Sequence, residues 1–381
     1  MPPPAAPVCV VVPSDTPGVV LPLEVPASLR VVDVMFLIDA SASMQDEIGQ
    51  VRDRVRDLVV PGIRAIFPEA AFGVALFGEF PVEPHAFPGD DTGPYTLRAS
   101  LTTDPARIES ALDATPVWGN RDDPEAAIEG VYQVATGEGL SPWILGSLGC
   151  PGGGVGGPCF RTDAFRILMV VTDAPMHEGP PGVEPVAPYD FEGPHDYAAT
   201  TAAVEAADLF VIGLGATDLG RPTPFEHLAA LGRDTGSVDA SGRPLVFDIG
   251  ARGSGVGADI VESVRRVADD VPLDVDAIVE DRAGDPFDAR DVVRSVRARS
   301  ALPASGVTRI EGNTFFGVRP LTRLRFEVSL DARGLPPSSE RREIPARAVF
   351  RAFGRTRLEV RDILIVVPGA DGAGCASTEL P

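Results

Sequence analysis

An apolar run that ends in acidic and hydroxyl residues constrains the fold of this chain more than any other stretch. Residues 31–38 read VVDVMFLI, which is long enough for one strand buried on both faces of a sheet. Asp39, Ser41 and Ser43 follow at alternating positions. Ligands of open parallel sheets bind at the carboxyl ends of the strands, and hard oxygen ligands suit Mg²⁺ or Ca²⁺. The stretch therefore predicts a buried strand that leads into a cation site.

The pattern after this run predicts an α/β fold with a doubly wound, mostly parallel sheet, because strand and helix patterns alternate along the chain. The residue pattern changes at Val271-Pro272. After this point apolar and polar residues alternate within short runs, which is typical of an antiparallel β-sandwich. We expect N-terminal strands at 1–30, an α/β domain at 31–271, an attached β-sandwich at 272–368 and a tail at 369–381. One hypothesis is that the N-terminal strands join the sandwich.

Composition excludes several classes of function. The formal net charge of −22 argues against binding of nucleic acid or of an anionic membrane surface. The chain contains no Lys, which excludes a Walker A phosphate loop and a Lys Schiff base. No apolar run is long enough to span a bilayer. Met1 is followed by PPPAAP, so no signal peptide is visible.

The four cysteines allow two interpretations. Cys150 and Cys159 bracket the flexible stretch PGGGVGGP, while Cys9 and Cys375 are near opposite ends and can pair only if the ends meet. The spacing does not match a zinc site. We favour two disulfides and an oxidising compartment. The alternative is four free thiols in a cytosolic protein.

Three further stretches bring acidic residues to strand ends or helix starts. Asp46 and Glu47 follow Ser43, Glu125 follows NRDDP, and Asp173 ends the apolar run FRILMVVT. Taken singly, these stretches are common helix starts: Ser43 and Asp46 match a capping box, and Asp-Asp-Pro-Glu matches an N-cap with Pro at the first helical position. Because they occur together, we expect them to meet at one edge of the sheet.

In this combination the chain resembles the I-like domain of integrin β subunits, within the von Willebrand factor A superfamily, over roughly residues 31–271. DASASMQDE is similar to that family's Asp-x-Ser-x-Ser-Met-x-Asp-Asp/Glu, NRDDPE to its Asn-x-Asp-x-Pro-Glu, and TDAPMH to its Thr-Asp-Ala-x-x-His. The family's specificity-determining disulfide loop is not recognisable between Phe80 and Leu101. The absence of Lys and the frequent Arg, Pro and Gly suggest a bacterial integrin-β-like protein.

The resemblance implies three cation sites in a row. At the central adhesion site, Mg²⁺ or Mn²⁺ would bind Ser41, Ser43 and Glu125 directly, and Asp39 and Asp173 through water. The flanking sites would hold Ca²⁺. The ligands of the adjacent site would be Asp46, Glu47 and the Ser43 carbonyl. Those of the third site would be Asn120, Asp122, Glu125 and the Pro124 carbonyl, with Glu79 where the family has Asp.

The resemblance further implies a non-enzymatic adhesion module outside the cell or at its surface. It would bind a protein ligand that presents Asp or Glu, without nucleic acid and without inserting into a membrane; a partner like an integrin α subunit is not evident. The alternative is an intracellular von Willebrand A adaptor for a metal chelatase or an AAA+ ATPase. A two-metal hydrolase is a third class, but no candidate base or nucleophile is found. His177 and His195 are interpreted as ordinary loop residues.

Overall fold

The structure is a computed structural model. It describes residues 8–87, 91–119, 121–217, 222–239, 241–250, 256–282, 286–336, 338–370, 372 and 374–375. The chain divides into two compact units. One unit runs from Arg30 to Val271, and the other combines the residues up to Leu29 with those from Pro272 onward.

Strands and helices of the two units are named here in chain order. The strands are β1 (Val8–Val11), β2 (Val19–Pro26), β3 (Val32–Asp39), β4 (Ala71–Phe77), β5 (Thr96–Thr102), β6 (Phe165–Thr172), β7 (Leu209–Gly215), β8 (Val246–Asp248), β9 (Leu273–Asp281), β10 (Val293–Leu302), β11 (Arg309–Glu311), β12 (Thr314–Val318), β13 (Arg323–Leu330), β14 (Arg342–Ala352) and β15 (Thr356–Val367). The helices are α1 (Gln45–Arg54), α2 (Val60–Ile66), α3 (Pro105–Asp113), α4 (Ala127–Thr136), α5 (Tyr197–Ala207), α6 (Phe225–Asp234) and α7 (Val256–Asp270).

The unit from Arg30 to Val271 is built on one sheet with the strand order β5-β4-β3-β6-β7-β8. Strands β4, β3, β6, β7 and β8 are parallel, and only the edge strand β5 is antiparallel to its neighbour. The predicted α/β class with parallel strands is therefore confirmed. Since Asp39 pairs with Phe77 and Ile38 with Val171, β3, β4 and β6 end side by side. This register brings the loops that follow the three strands to one edge.

Helices cover both faces of this sheet. Alternate residues of β3 point to opposite faces, and Met35 and Leu37 lie in a core cluster with Val131 of α4 and Val204 of α5. On the other face, Phe36 of β3 stacks on Phe72 of β4, and Arg64 of α2 lies over the Phe72 ring. All eight residues of β3 are buried, as its unbroken apolar run predicts.

Two local features of this unit were not predicted from the sequence. Strand β5 was not predicted, because a half-exposed edge strand such as TLRASLT has no apolar run. The helical segment after β3 does not end at Pro61-Gly62, because Val55–Val59 widen into a π turn and α2 continues to Ile66. Pro61 is tolerated there because it lies in the first turn of α2. A Cβ on Gly62 would lie 2.7 Å from Val261 Cγ2, so glycine permits close contact with α7.

The other unit contains two sheets, one with the order β1-β15-β14-β9-β12-β11 and one with the order β10-β13-β2. Phe326 of β13 contacts Phe315 of β12 and Phe350 of β14 with ring centroids 5.1 and 5.4 Å apart, so buried aromatic rings join the two sheets. The N-terminal strands lie in these sheets, with β1 parallel to β15 and β2 antiparallel to β13. Strand β10 was not predicted.

All four cysteines are paired, as favoured from the sequence: Cys9 with Cys375, and Cys150 with Cys159. The second disulfide closes the glycine-rich loop between α4 and β6.

Across the described parts of the chain, the helices are too short or too polar to cross a membrane.

A substitution at Gly213 of β7 tests how tightly α6 packs on the sheet. A Cβ at this position would lie 2.8 Å from Leu228 Cβ, so we expect Gly213→Ala to lower the free energy of unfolding by about 1–3 kcal/mol through overpacking. Gly49 of α1 is the matched control, because its Cβ would meet no atom within 4 Å. Gly49→Ala should raise stability by up to about 1 kcal/mol, since alanine favours helix. Urea unfolding measures both, and equal stability of Gly213→Ala and wild type would contradict the packing.

Candidate metal centre

The end of β3 and the turn that follows it build the first part of the site. The Ser41 backbone N–H donates to Asp39 Oδ1 at 2.9 Å, which closes the turn. A short 3₁₀ helix, Ala42–Met44, then directs Ser43 back toward the sheet edge. The Ser41 and Ser43 hydroxyl oxygens are 2.9 Å apart. Alternate positions along this turn thus direct two hydroxyls and one carboxylate to the same place.

The end of β6 supplies the second part. Ser43 Oγ donates to Asp173 Oδ1 at 2.9 Å across a separation of 130 residues. Thr172 Oγ1 donates to Asp39 Oδ2 at 2.6 Å. Both serines therefore face the acidic residues at this edge of the sheet.

Glu125 reaches the same place from an extended segment, not from the helix start that the sequence suggested. Helix α4 begins at Ala127, three residues after the expected start at Pro124. Glu125 forms a parallel bridge with Met176: its N–H donates to the Pro175 carbonyl at 3.0 Å, and its carbonyl accepts from the His177 N–H at 2.9 Å. Pairing with the loop after β6 competes with helix formation. It also brings the Glu125 side chain within hydrogen-bonding distance of the Ser41 side chain.

Burial and like charges dominate the electrostatics of this group. Asp39, Glu125 and Asp173 expose only 0%, 1% and 4% of their surface. Burial, and secondarily the charge of Asp173, raise the pKa of Asp39 to about 7. Burial raises the pKa of Glu125 well above its usual value, with smaller contributions from the charges of Asp39, Glu79 and Asp122. These carboxylates therefore repel one another when charged, and a bound cation would offset that repulsion.

The donor set at this edge fits a hard divalent cation, because it consists of oxygen atoms only. The structure brings together all five residues predicted for the central site. At the adjacent site, Asp46 and Glu47 lie in the first turn of α1, and their side chains fall outside the described part of the structure.

The third predicted site has a different composition from the one that the resemblance implies. Asn120 lies outside the described residues, whereas Glu79 and Asp122 come together with two imidazoles, those of His85 and His177. The four side chains each offer one donor atom, and these atoms lie within 4.8 Å of one another. An oxygen-only calcium site does not match this set. We call these four residues the histidine–carboxylate cluster.

Short contacts hold the histidine–carboxylate cluster together. Asp122 Oδ2 lies 2.7 Å from His85 Nδ1 and 3.0 Å from His177 Nε2. Burial would raise the pKa of Asp122, but hydrogen bonds with the two imidazoles lower it overall. Glu79 Oε1 accepts hydrogen bonds from the Phe80 N–H and, at 2.7 Å, from the Tyr189 hydroxyl. Burial raises the pKa of Glu79 well above its usual value.

Neither histidine of this cluster was predicted from the sequence to be a ligand. His177 lies in a loop, as interpreted, but its side chain is buried at the cluster. His195 is not in the cluster; its Nδ1 pairs with Glu129 at 3.0 Å. His85 follows Glu79 by six positions with no recognisable motif around it, and His177 is the last residue of the TDAPMH stretch, in which only Asp173 was assigned as a ligand. Only the fold brings the two histidines together.

Comparisons with known proteins add little to this geometry. No known family model matches the chain, and no curated protein does. Among solved structures, the chain is similar to a von Willebrand factor type A protein from Catenulispora acidiphila, with a TM-score of 0.41 and 12% identity over 95% of this chain and 72% of that one. It is also similar to proximal thread matrix protein 1 from the mussel byssus, with a TM-score of 0.39 and 14% identity over 67% of this chain and 51% of that one. At these TM-scores we draw no functional conclusion from either structure.

The charge of Asp39 can be tested with Asp39→Asn, because asparagine has the shape of the protonated carboxyl but does not titrate. The pKa of Asp39 rises from 3.8 to about 7 on folding, so the folded protein binds a proton that the unfolded chain has released. The free energy of unfolding therefore falls as pH rises through this window. EDTA-treated wild type should lose up to about 4 kcal/mol relative to Asp39→Asn between about pH 4 and pH 7.

Urea unfolding of both proteins at several pH values measures this difference. Below about pH 4 the two proteins should be nearly equally stable, since both then carry an uncharged group at this position. If the difference in free energy of unfolding between the two proteins stays constant from pH 4 to pH 7, the charge of Asp39 does not destabilise the folded protein.

Proposed function

We propose that this protein is a non-enzymatic binding module that captures an acidic side chain of a protein ligand at a divalent cation. The cation would be Mg²⁺ or Mn²⁺, held by Asp39, Ser41, Ser43, Glu125 and Asp173. The observation that carries the proposal is the Ser43–Asp173 hydrogen bond together with the Ser41–Ser43 contact. These contacts join chain segments 130 residues apart into one oxygen-rich, acidic group.

The chemistry of the site suits ligand capture. Two neutral hydroxyls and one carboxylate bound directly to Mg²⁺ would leave net positive charge on the ion and room for another oxygen ligand. A carboxylate from a partner protein provides both the charge and the oxygen. The motif resemblance to the integrin β I-like domain supports the same mode of binding. Flanking Ca²⁺ at Asp46 and Glu47 belongs to this proposal as well.

We assign the protein to the outside of the cell or to its surface. The two disulfides support this, because disulfides persist in oxidising compartments and are rare in the cytosol. The same observation disfavours the intracellular adaptor for a chelatase or an AAA+ ATPase. We propose no interaction with nucleic acid, because the net charge of −22 would repel phosphate.

Calorimetric titration of EDTA-treated protein with Mg²⁺ tests the cation site. Ser43→Ala removes a proposed direct ligand and the bond to Asp173, so we expect Mg²⁺ affinity to fall at least about tenfold, as even outer-shell losses cost that much. Ser110→Ala, on α3, is the matched control and should bind Mg²⁺ as wild type does. If Ser43→Ala also binds Mg²⁺ normally, the central site is not where the ion resides.

Capture of an acidic side chain can be tested with displayed peptides selected in Mg²⁺ and eluted with EDTA. We expect the recovered peptides to share an Asp or Glu, and replacement of that residue by Asn or Gln should abolish binding. Glu125→Gln should abolish capture too, while the circular dichroism spectrum stays that of a folded protein. Peptides that bind equally well in EDTA, or that lack a common acidic residue, would count against the proposed function.

A further inference from the structure

We infer that the histidine–carboxylate cluster is a second metal site, built for a transition-metal dication such as Zn²⁺ rather than for Ca²⁺. Its ligands are Glu79, His85, Asp122 and His177, which follow β4, precede α4 or follow β6. The inference does not depend on the proposed function, because none of these residues is a ligand of the central site.

The tautomer of His177 directs a lone pair into the cluster. His177 Nδ1 lies 2.8 Å from the Ala187 carbonyl, which can only accept a hydrogen bond, so Nδ1 carries the proton. In the neutral imidazole Nε2 is then an acceptor. It faces Asp122 Oδ2 at 3.0 Å and Glu79 Oε2 at 3.5 Å. Acceptor atoms this close together need a cation between them, either a proton or a metal.

His85 lies between a carboxylate of the cluster and an outer carboxylate. Its Nε2 lies 3.4 Å from Asp190 Oδ1, and its Nδ1 lies 2.7 Å from Asp122 Oδ2. If Nε2 carries the proton, Nδ1 presents its lone pair to the cluster. Each imidazole then donates outward to a carbonyl or a carboxylate, which is the outer arrangement found around metal-binding histidines.

Glu79 supplies an independent sign of a ligand. Its side chain is fully buried, and Oε1 is occupied by the Phe80 N–H and the Tyr189 hydroxyl. Oε2 makes no hydrogen bond and points toward His177 Nε2. A buried carboxylate oxygen without a hydrogen bond costs free energy. A metal ion bound in the cluster would remove that cost.

The donors select the class of metal. Ca²⁺ takes 6–8 oxygen ligands, whereas imidazole suits Zn²⁺ and its transition-metal neighbours. Four ligands at Zn–N and Zn–O distances near 2.0–2.1 Å lie roughly 3.3 Å apart in a tetrahedron. Three of the distances between donor atoms of the cluster are 2.7, 3.0 and 3.5 Å, and all of them are within 4.8 Å.

Aromatic rings enclose the cluster. Tyr189 stacks on His177 with ring centroids 4.3 Å apart, and Phe191 lies 5.9 Å from His85 by the same measure. These apolar rings limit the access of water to the cluster, which would strengthen metal–ligand interactions there. A metal here would also tie together the three loops that carry its ligands, one of which continues to Glu125.

Calorimetric titration with Zn²⁺ on the EDTA-treated, dialysed full chain tests the inference. We expect wild type to bind one Zn²⁺ at the cluster and His177→Asn to bind it more than about 100-fold more weakly, since outer-shell changes alone cost about 10–100-fold. Asp190→Asn removes the charge of the outer partner of His85 and should weaken binding about tenfold. Its carboxylate is largely exposed, so this variant does not threaten the fold. Asp57→Asn, an exposed change in the π turn Val55–Val59, is the matched control and should bind Zn²⁺ normally.

Two further measurements separate this inference from the central site and from loss of folding. His177→Asn should still bind Mg²⁺, and Ser43→Ala should still bind Zn²⁺. In wild type, Co²⁺ should give the intense visible absorption of a four-coordinate site, and excess Ca²⁺ should not displace Zn²⁺. The inference is overturned if wild type binds no Zn²⁺, if Ca²⁺ displaces it, or if folded His177→Asn and Asp190→Asn bind Zn²⁺ as wild type does.

Discussion

Mutual repulsion among carboxylates that are buried at one edge of the parallel sheet opposes folding of the α/β unit. Asp39, Glu79, Glu125 and Asp173 are all buried there. Burial raises the pKa of Asp39 and of both glutamates, which measures how unfavourable their charged forms are. Buried charged groups occur in proteins where a partner charge or a metal ion offsets the cost of their burial. At this edge of the sheet a bound cation would do so.

The sheet register explains why the carboxylates meet. Strands β3, β4 and β6 are adjacent and parallel, so the residues that follow them leave the sheet at the same edge. The segment at Glu125 joins by pairing with the loop after β6. Because His177 is in that loop, its N–H holds the Glu125 carbonyl while its imidazole belongs to the histidine–carboxylate cluster. The two centres therefore share backbone but differ in donor chemistry, one with oxygen alone and one with nitrogen and oxygen.

Much of this was predictable where local sequence determines structure. The apolar run of β3 and the Asp39-x-Ser-x-Ser spacing specify a buried strand and a polar turn without help from the rest of the chain. The cysteine pairs followed from the loop between Cys150 and Cys159 and from the positions of Cys9 and Cys375. The N-terminal strands β1 and β2 pair with β15 and β13 of the C-terminal part; that this unit is a β-sandwich stays a prediction.

What sequence reasoning missed depends on contacts between distant residues. Glu125 carries the local pattern of a helix start, but tertiary pairing with Met176 holds it in an extended segment. His85 and His177 are 92 positions apart and have no shared motif, yet their ring centroids are 4.8 Å apart in the fold. The periodicity and spacing of residues along the sequence cannot predict this contact, because it arises from the order of the strands in the sheet and not from neighbouring residues.

Anomalous diffraction from crystals grown with Mn²⁺ tests the central claim most directly, because Mn²⁺ suits the same oxygen ligands as Mg²⁺ and scatters anomalously. The account predicts a difference peak bounded by the side chains of Ser41, Ser43, Glu125 and Asp173. Full occupancy of Mn²⁺ elsewhere, with no peak at this position, would contradict it.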